Sequence, residues 1–135
     1  MKRMITMSAK TIAQKLLIKE GYKVLLVNPP SGYKTLLGPL TGSVTILKSP
    51  AVASADLVQV FVKGRKELEA QLGKLKKALN PKGLLWVTYY KGTAKRKTDI
   101  NRDTINAYAK SLGLEGVAMI SVDDDWSALR LKIIS

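Results

Sequence analysis

Two patterns of apolar residues meet near the middle of the chain. Four leucines recur at helical spacing among lysines and glutamates: Leu68, Leu72, Leu75 and Leu79. This spacing predicts an amphipathic helix over residues 65–79. Residues 80–83, Asn-Pro-Lys-Gly, predict a turn, because proline cannot continue a helix and glycine tolerates tight backbone angles. The apolar and aromatic run at 84–90 then predicts a strand that is buried on both faces.

Similar elements are predicted on either side of this unit. Further strands are expected at residues 23–27, 43–47, 57–62, 117–122 and 128–134. A short helix is expected around residues 12–17 with Ser8 as its N-cap, and a helical turn at 35–40. Another helix is expected at 102–112, between the cap Asn101 and the stop Gly113. Gln59 falls inside a buried strand and therefore needs a hydrogen-bond partner.

Helices alternate with buried strands along the chain, and this order indicates the fold class. It predicts a three-layer α/β, Rossmann-like domain with a mostly parallel sheet. The last two strands are separated only by the Asp123-Asp124-Asp125 turn, so we expect an antiparallel C-terminal hairpin. At 135 residues, the chain is expected to be one domain, 1–135.

The charge balance narrows the choice of partners. The chain has 23 Lys+Arg against 10 Asp+Glu, for a formal charge of +13. Such a charge favours anionic partners such as nucleic acid, nucleotide phosphates or an acidic membrane surface. The alternative is a lysine-rich surface that serves solubility alone.

Two residue types are absent, and their absence excludes several chemistries. The chain contains no Cys and no His. Disulfides, the usual zinc sites and a Ser-His-Asp triad are therefore excluded. The residues after Met1 do not form the apolar core of a secretory signal, and no apolar run approaches the roughly 20 residues of a membrane span. We therefore expect a cytoplasmic protein without a transmembrane segment.

Cationic loops are predicted to meet at one edge of the sheet, because ligands of open α/β sheets bind outside the carboxyl ends of the strands. Loops at 28–34, 63–66, 91–97 and 123–127 should meet there. They carry a set of cations that we call the basic rim: Lys34, Lys63, Arg65, Lys66, Lys91, Lys95, Arg96 and Lys97. Helix N-termini at this edge would add positive charge and N–H donors.

The loop after the first predicted strand completes the candidate anion site. Asn28, Ser31, Gly32 and Tyr33 are candidate ligand-binding residues, of which the last three could wrap a phosphate or carboxylate. The rings of Trp126, Tyr33 and Tyr90 are candidate faces for stacking.

Structural roles compete with these functional interpretations. Lys95, Arg96 and Lys97 also fit a solvated loop, and Trp126 also fits a packing residue of the hairpin. The three aspartates could hold Mg²⁺, but an acidic turn beside the basic rim is the preferred interpretation. Asn28 could also simply pin its loop by side-chain to backbone bonds.

Two stretches resemble a known family. Residues 18–27, Ile-Lys-Glu-Gly-Tyr-Lys-Val-Leu-Leu-Val, resemble the approach to the first strand of class I S-adenosylmethionine (SAM)-dependent methyltransferases. Residues 75–87 resemble the helix, turn and strand before their active-site edge. The Asn-x-Pro-x-Gly-Tyr loop from Asn28 and the pair Trp126-Ser127 also resemble a family of small, uncharacterised bacterial domains. These resemblances imply a truncated methyltransferase-like fold with strand order 2-1-3-4-6-5, but no activity.

The departures from the methyltransferase pattern concern the cofactor loop. The resemblance implies an acidic residue at the position of Leu26 and glycines at the positions of Asn28, Pro30 and Gly32. Of these positions, only Gly32 has the residue that the family pattern requires. Pro30 has no N–H to donate and a ring where close approach is needed. Lys48 follows the second strand in place of the acid that would accept ribose hydroxyls.

The preferred functional hypothesis is therefore a non-catalytic Rossmann-like module. It would bind an anionic ligand or nucleic acid at the basic carboxyl edge, with no resident cofactor or metal. The alternative is a divergent SAM-dependent methyltransferase with an altered cofactor loop. The oligomeric state stays open.

Overall fold

Ten elements make up the part of the chain that the computed structural model describes, residues 10–37, 40, 42–92 and 98–134. The helices are α1 (Ile12–Lys15), α2 (Tyr33–Leu36), α3 (Arg65–Ala78) and α4 (Arg102–Ser111). The strands are β1 (Lys23–Val27), β2 (Thr45–Ile46), β3 (Ala55–Phe61), β4 (Leu79–Tyr90), β5 (Leu114–Ser121) and β6 (Trp126–Ile133). None of the described helices has the length and apolar content needed to cross a membrane.

The strands form one mixed sheet with the order β2-β1-β3-β4-β6-β5. Neighbours among β1 to β4 pair in parallel, with Val24 opposite Leu57 and Leu57 opposite Leu84. Strand β6 lies antiparallel to both β4 and β5. This confirms the predicted Rossmann-like α/β fold and its antiparallel C-terminal hairpin.

Two apolar cores cover the two faces of the sheet. Alternate residues of β4 divide between them, with Leu85 and Val87 in the core under α3 and α4, and Trp86 and Tyr90 in the core under α1 and α2. The leucine stripe predicted for α3 faces the first core, where Leu68, Leu72, Leu75 and Leu79 are 3% exposed or less. The three predicted layers are therefore present, with the sheet in the middle.

The helix ends follow local capping chemistry. Asn101 caps α4 in a capping box with Thr104, and Gly113 follows the helix with φ 77°, as predicted. Helix α1 is capped by Thr11 through Gln14, whereas the predicted cap, Ser8, lies outside the described residues. Leu17 has φ 67° and leaves the helix that was predicted to contain it.

The predicted turn at residues 80–83 is wrong, because these residues belong to β4. Leu79 pairs with Ala55, and the register shifts before Leu57 pairs with Leu84. The side-chain amide of Asn80 donates to Asp56 Oδ1 at 2.6 Å and holds this irregular start against β3. A Cβ on Gly83 would lie 2.6 Å from Leu79 Cδ1, so glycine is needed here for close packing.

The remaining bounds differ by a few residues from those predicted. Strand β2 is shorter, β5 begins earlier and β6 already includes Trp126. The helical turn lies at Tyr33–Leu36, and Gly38 and Pro39, within its predicted range, lie outside the described residues.

A chain of buried hydrogen bonds links α2 to the middle of the sheet. Gln59 and Thr88 are both 0% exposed, and Tyr33 is 1% exposed. The Tyr33 hydroxyl donates to Gln59 Oε1 at 2.7 Å, and Gln59 Nε2 donates to Thr88 Oγ1 at 3.0 Å. Gln59 therefore has the partners that its buried position requires.

Tyr33→Phe should destabilise the fold, because it leaves Gln59 Oε1 without its donor inside the core. An unsatisfied buried group costs about 1–3 kcal/mol, and urea denaturation measures the change in unfolding free energy. Tyr22→Phe is the matched control, since Tyr22 is half-buried and its hydroxyl bonds to no described residue. Equal stability of the two variants would show that the buried bond contributes nothing.

The difference in stability between Tyr33→Phe and the wild type should shrink above pH 10. Burial raises the pKa of Tyr33 well above its ordinary value of 10.0, against a smaller lowering by the Gln59 bond. The folded protein keeps a proton that the unfolded chain loses, so the wild type loses about 1.4 kcal/mol per pH unit there through this group. The Tyr33→Phe variant has no phenol at this position, so its unfolding free energy does not fall for this reason. Urea denaturation at pH 9, 10 and 11 measures the difference in unfolding free energy between the two proteins. A difference that stays constant with pH would contradict a raised pKa for Tyr33.

Candidate ligand-binding site

The described parts of the loops predicted to meet do lie at one edge of the sheet. Parallel strands β1, β3 and β4 end there at Val27, Phe61 and Tyr90. Strand β6 starts at the same edge, because Trp126 pairs with Tyr90. The topology therefore gathers the segments after β1, β3 and β4 and the turn before β6.

A cavity of about 500 Å³ opens at this edge. We call it the cleft and define it by its lining residues: Asn28, Pro29, Pro30, Ser31, Phe61, Lys63, Glu67, Tyr90 and Trp126. It lies beyond the ends of the neighbouring strands β1 and β3, from which the chain proceeds to opposite sides of the sheet. This is the position at which open α/β sheets bind ligands.

Packed aromatic rings form the inner wall of the cleft. Tyr90 stacks on Trp126 with ring centroids 4.2 Å apart and an angle of 25° between the planes. Phe61 meets Trp126 edge-on at 5.1 Å. Trp126 is only 8% exposed, so it packs the hairpin, which is the structural role considered from the sequence. It also lines the cleft.

The loop after β1 forms the opposite wall. Asn28 has φ 56° and Gly32 has φ 81°, which turn the chain sharply on either side of the two prolines. The Tyr33 N–H donates to the Pro30 carbonyl at 3.0 Å and closes the loop. The Asn28 side chain forms no hydrogen bond with the described residues, so the predicted alternative, a purely local pinning role, has no support in them.

Tyr33 lies elsewhere than the ligand-binding prediction placed it. Its ring is 1% exposed and packs edge-on against Phe61 at 4.6 Å. Because the ring lies below the cleft, it cannot stack on a ligand. Tyr33 instead anchors the loop through its bond to Gln59.

One lysine and one glutamate line the cleft. The Lys63 N–H donates to Glu67 Oε1 at 2.6 Å, which places the carboxylate at the start of α3. The Lys63 ammonium forms no salt bridge with Glu67 or with another described residue. The cleft therefore presents both signs of charge.

Four of the five described members of the basic rim lie outside the cleft. Lys34 and Lys66 are exposed on α2 and α3, and Arg65 pairs with Glu69 at 2.9 Å. Lys91 lines a separate cavity of about 240 Å³ beside Tyr90 and donates to Ser121 Oγ at 2.6 Å. The predicted cations Lys95, Arg96 and Lys97 lie outside the described residues.

Cations also occur at the opposite edge of the sheet. Lys23 begins β1, Lys82 lies near the start of β4, and Lys132 lies near the end of the antiparallel β6. Lys76 and Lys77 end α3 at the same side. Positive charge is therefore not concentrated at the carboxyl edge alone.

The N-terminus of α3 is already occupied by a carboxylate of the protein. Asp99 Oδ1 accepts the Arg65 N–H at 2.8 Å, and Thr98 Oγ1 donates to the Lys63 carbonyl at 2.9 Å. A Cβ on Gly64 would lie 2.9 Å from Asp99 Oδ1, so the contact is close. The expectation of free N–H donors at this helix therefore fails for Arg65. Helix α2 has only four residues, which is too short for a helix-dipole site.

The three aspartates form a capped turn. Asp123 Oδ1 accepts the N–H groups of Asp125 and Trp126 at 2.8 and 2.9 Å. Among residues 10–37, 40, 42–92 and 98–134, no group of acidic side chains is arranged to hold a metal ion. The carboxylate of Asp123 is used to start β6.

Sequence reasoning missed two contributors to the cleft. Phe61 falls within the strand predicted at residues 57–62, and it lines the cleft although it is only 2% exposed. The helical spacing places Glu67 on the polar face of α3 and gives no sign of the cleft. One signal would have placed Glu67 at the carboxyl edge of the sheet. It lies three residues after Gly64, and Gly64 is the N-cap of a helix that follows a buried strand.

Comparisons with solved structures support the fold. A SAM-dependent methyltransferase from Aquifex aeolicus aligns with TM-score 0.60 and 14% identity, over 89% of this chain and 86% of that one. A putative type 11 methyltransferase from Sulfolobus solfataricus aligns with TM-score 0.59 and 11% identity, over 91% and 89%. A TehB-like SAM-dependent methyltransferase from Corynebacterium glutamicum aligns with TM-score 0.58 and 13% identity, over 91% and 87%. No protein-family model and no curated protein matches the chain. The chain therefore has a methyltransferase-like fold.

Asp99→Ala should destabilise the protein by about 1 kcal/mol, the typical cost of losing a helix cap. The Arg65 N–H would lose its acceptor, and the unfolding free energy in urea measures the effect. Asp124→Ala is the control, because the exposed Asp124 side chain bonds to no described residue. If both variants are equally stable, the carboxylate does not cap α3.

Proposed function

We propose that the protein is a small-molecule-binding module with a methyltransferase-like fold, and that its ligand occupies the cleft. The observation that carries this proposal is the position of the cleft, at the carboxyl ends of β1 and β3. Ligand sites are typically concave and mostly apolar, with few polar groups that fix orientation. The cleft is concave and combines aromatic and proline walls with the polar groups of Asn28, Ser31, Lys63 and Glu67, so it is more polar than a typical site of this kind.

The ligand class follows from the walls of the cleft. Phe61, Tyr90 and Trp126 offer apolar contact to a planar group. Lys63 offers a cation to a phosphate or carboxylate. A nucleotide-like or other aromatic anion of drug-like size therefore fits this site. In this proposal the module binds its ligand without catalysing a reaction.

A divergent SAM-dependent methyltransferase is the second candidate, favoured by the structural neighbours, which are SAM-dependent methyltransferases. Two features of the chain oppose it. Pro30 lines the cleft where a backbone N–H would be needed. Lys48 lies exposed after the two-residue strand β2, where an acid would bind the ribose.

Nucleic acid is a weaker form of the anionic-partner hypothesis. A polynucleotide needs a continuous cationic track. The described cations divide between both edges of the sheet, and Glu67 interrupts the cleft. A small anion is therefore preferred.

Adenosine 5′-monophosphate should bind in the cleft with an affinity measurable by NMR of the ¹⁵N-labelled protein. The indole N–H of Trp126 and the amides of Asn28 and Ser31 should shift on titration. The indole of Trp86 should not, because it is buried and bonded to the Leu16 carbonyl at 3.0 Å. Lys63→Gln should weaken binding by about fivefold, as expected for a solvent-exposed charge pair.

Lys66→Gln is the matched control, since this exposed lysine lies on the same helix outside the cleft. S-adenosylhomocysteine is titrated in parallel. Binding about tenfold or more tighter than that of the nucleotide would favour the methyltransferase candidate. If neither compound shifts the cleft signals at millimolar concentration, the cleft is not a ligand site and the proposal is wrong.

A further inference from the structure

Lys63 and Glu67 give the cleft an unusual electrostatic feature. Both line the same cavity, yet they do not form a salt bridge with each other. Lys63 directly precedes Gly64, the N-cap of α3, and Glu67 lies in the first turn of that helix. In this structure no ion pair links the ammonium and the carboxylate, although both residues line the cleft.

The Glu67 carboxylate has spare capacity to accept hydrogen bonds. Its Oε1 accepts the Lys63 N–H at 2.6 Å, and its other oxygen has no hydrogen-bond partner among the described residues. An ionised carboxylate has about four acceptor sites. The capping role of Glu67 therefore leaves room for a donor from a ligand.

A plain anion is not the best match for this pair of charges. An anion that reaches the Lys63 ammonium also lies near the like charge of Glu67, which weakens its binding. A ligand with an ammonium and an anionic group satisfies both side chains at once. Its apolar body would contact Phe61, Tyr90 and Trp126, whose faces also favour a nearby cation.

We infer that the cleft selects a zwitterionic ligand, with an ammonium group at Glu67, a carboxylate or phosphate at Lys63 and an aromatic or apolar body against the ring wall. This inference rests on the proposed function and adds the charge pattern of the ligand. The class includes free amino acids with large side chains.

Three matched indole compounds test the charge pattern separately from binding itself. L-tryptophan carries both charges, tryptamine only the ammonium, and indole-3-propionate only the carboxylate. Each is titrated into the ¹⁵N-labelled protein, with the Trp126 indole and Asn28 amide signals as readout. L-tryptophan should bind at least about fivefold more tightly than either single-charge compound.

Two charge-neutralising variants assign each half of the ligand. Glu67→Gln keeps an oxygen that can accept the Lys63 N–H, so the helix cap survives while the charge is lost. It should reduce the affinity for L-tryptophan and tryptamine but not for indole-3-propionate. Lys63→Gln should reduce the affinity for L-tryptophan and indole-3-propionate but not for tryptamine. Glu69→Gln is the control, because Glu69 lies half-exposed on the same helix and outside the cleft.

The outcomes separate this inference from the function on which it rests. It is wrong if L-tryptophan binds no more tightly than indole-3-propionate, or if Glu67→Gln leaves its affinity unchanged at an unchanged unfolding midpoint. If adenosine 5′-monophosphate still binds in that case, the cleft remains a ligand site for anions. If that nucleotide and all three indole compounds fail to bind, the small-molecule function falls as well.

Discussion

A single buried amide links the middle of the sheet to the loop at its edge. Gln59 is fully enclosed in β3, where an unpaired amide would destabilise the fold. Its two partners come from different elements, Tyr33 at the start of α2 and Thr88 in β4. Since Tyr33 directly follows the loop that walls the cleft, satisfying the amide also fixes the position of that loop. The cleft therefore depends on a hydrogen bond made beneath it.

At the carboxyl edge of the sheet, the strand topology positions the loops, and side-chain bonds determine which of their polar groups are available. Parallel pairing of β1, β3 and β4 brings their following segments together whatever residues these contain. Local bonds then decide which groups remain available to a ligand. Asp99 takes the Arg65 N–H, Glu69 takes the Arg65 side chain, and Lys91 reaches Ser121. Of the five members of the basic rim that the structure describes, only Lys63 lines the cleft, so this part of the site is less cationic than the net charge of the chain implies.

The sequence predicted the sheet well because the relevant signals are local. Apolar runs and the capping residue Asn101 depend on neighbours in the chain, and the family resemblance supplied the strand order. The errors arose where a distant contact overrides a local preference. Residues 80–83 have turn chemistry, but pairing of Leu79 with Ala55 and the bond from Asn80 to Asp56 draw them into β4. Tyr33 looks like a loop residue, and its burial depends on two residues distant in the chain, Gln59 and Phe61. Glu67 could not be assigned to the cleft from the sequence. The spacing of apolar residues predicts which face of α3 is polar, but it does not predict which cavity lies beside that face.

The methyltransferase-like fold and the altered loop are compatible, because the fold requires only that some loop cover the end of β1. Glycines in that loop would let a cofactor approach the backbone closely. Asn28 and the two prolines instead produce a sharply turned, rigid wall, with φ 56° at Asn28 and φ 81° at Gly32 on either side. Proline fixes its own φ and removes a donor, so such a wall can offer the proposed ligand only shape and apolar contact. Polar contacts to that ligand would then come from the other side of the cleft, where Lys63 and Glu67 lie at the junction of β3 and α3. The loss of backbone donors on one wall and the presence of unpaired charges on the other are thus complementary features of one site.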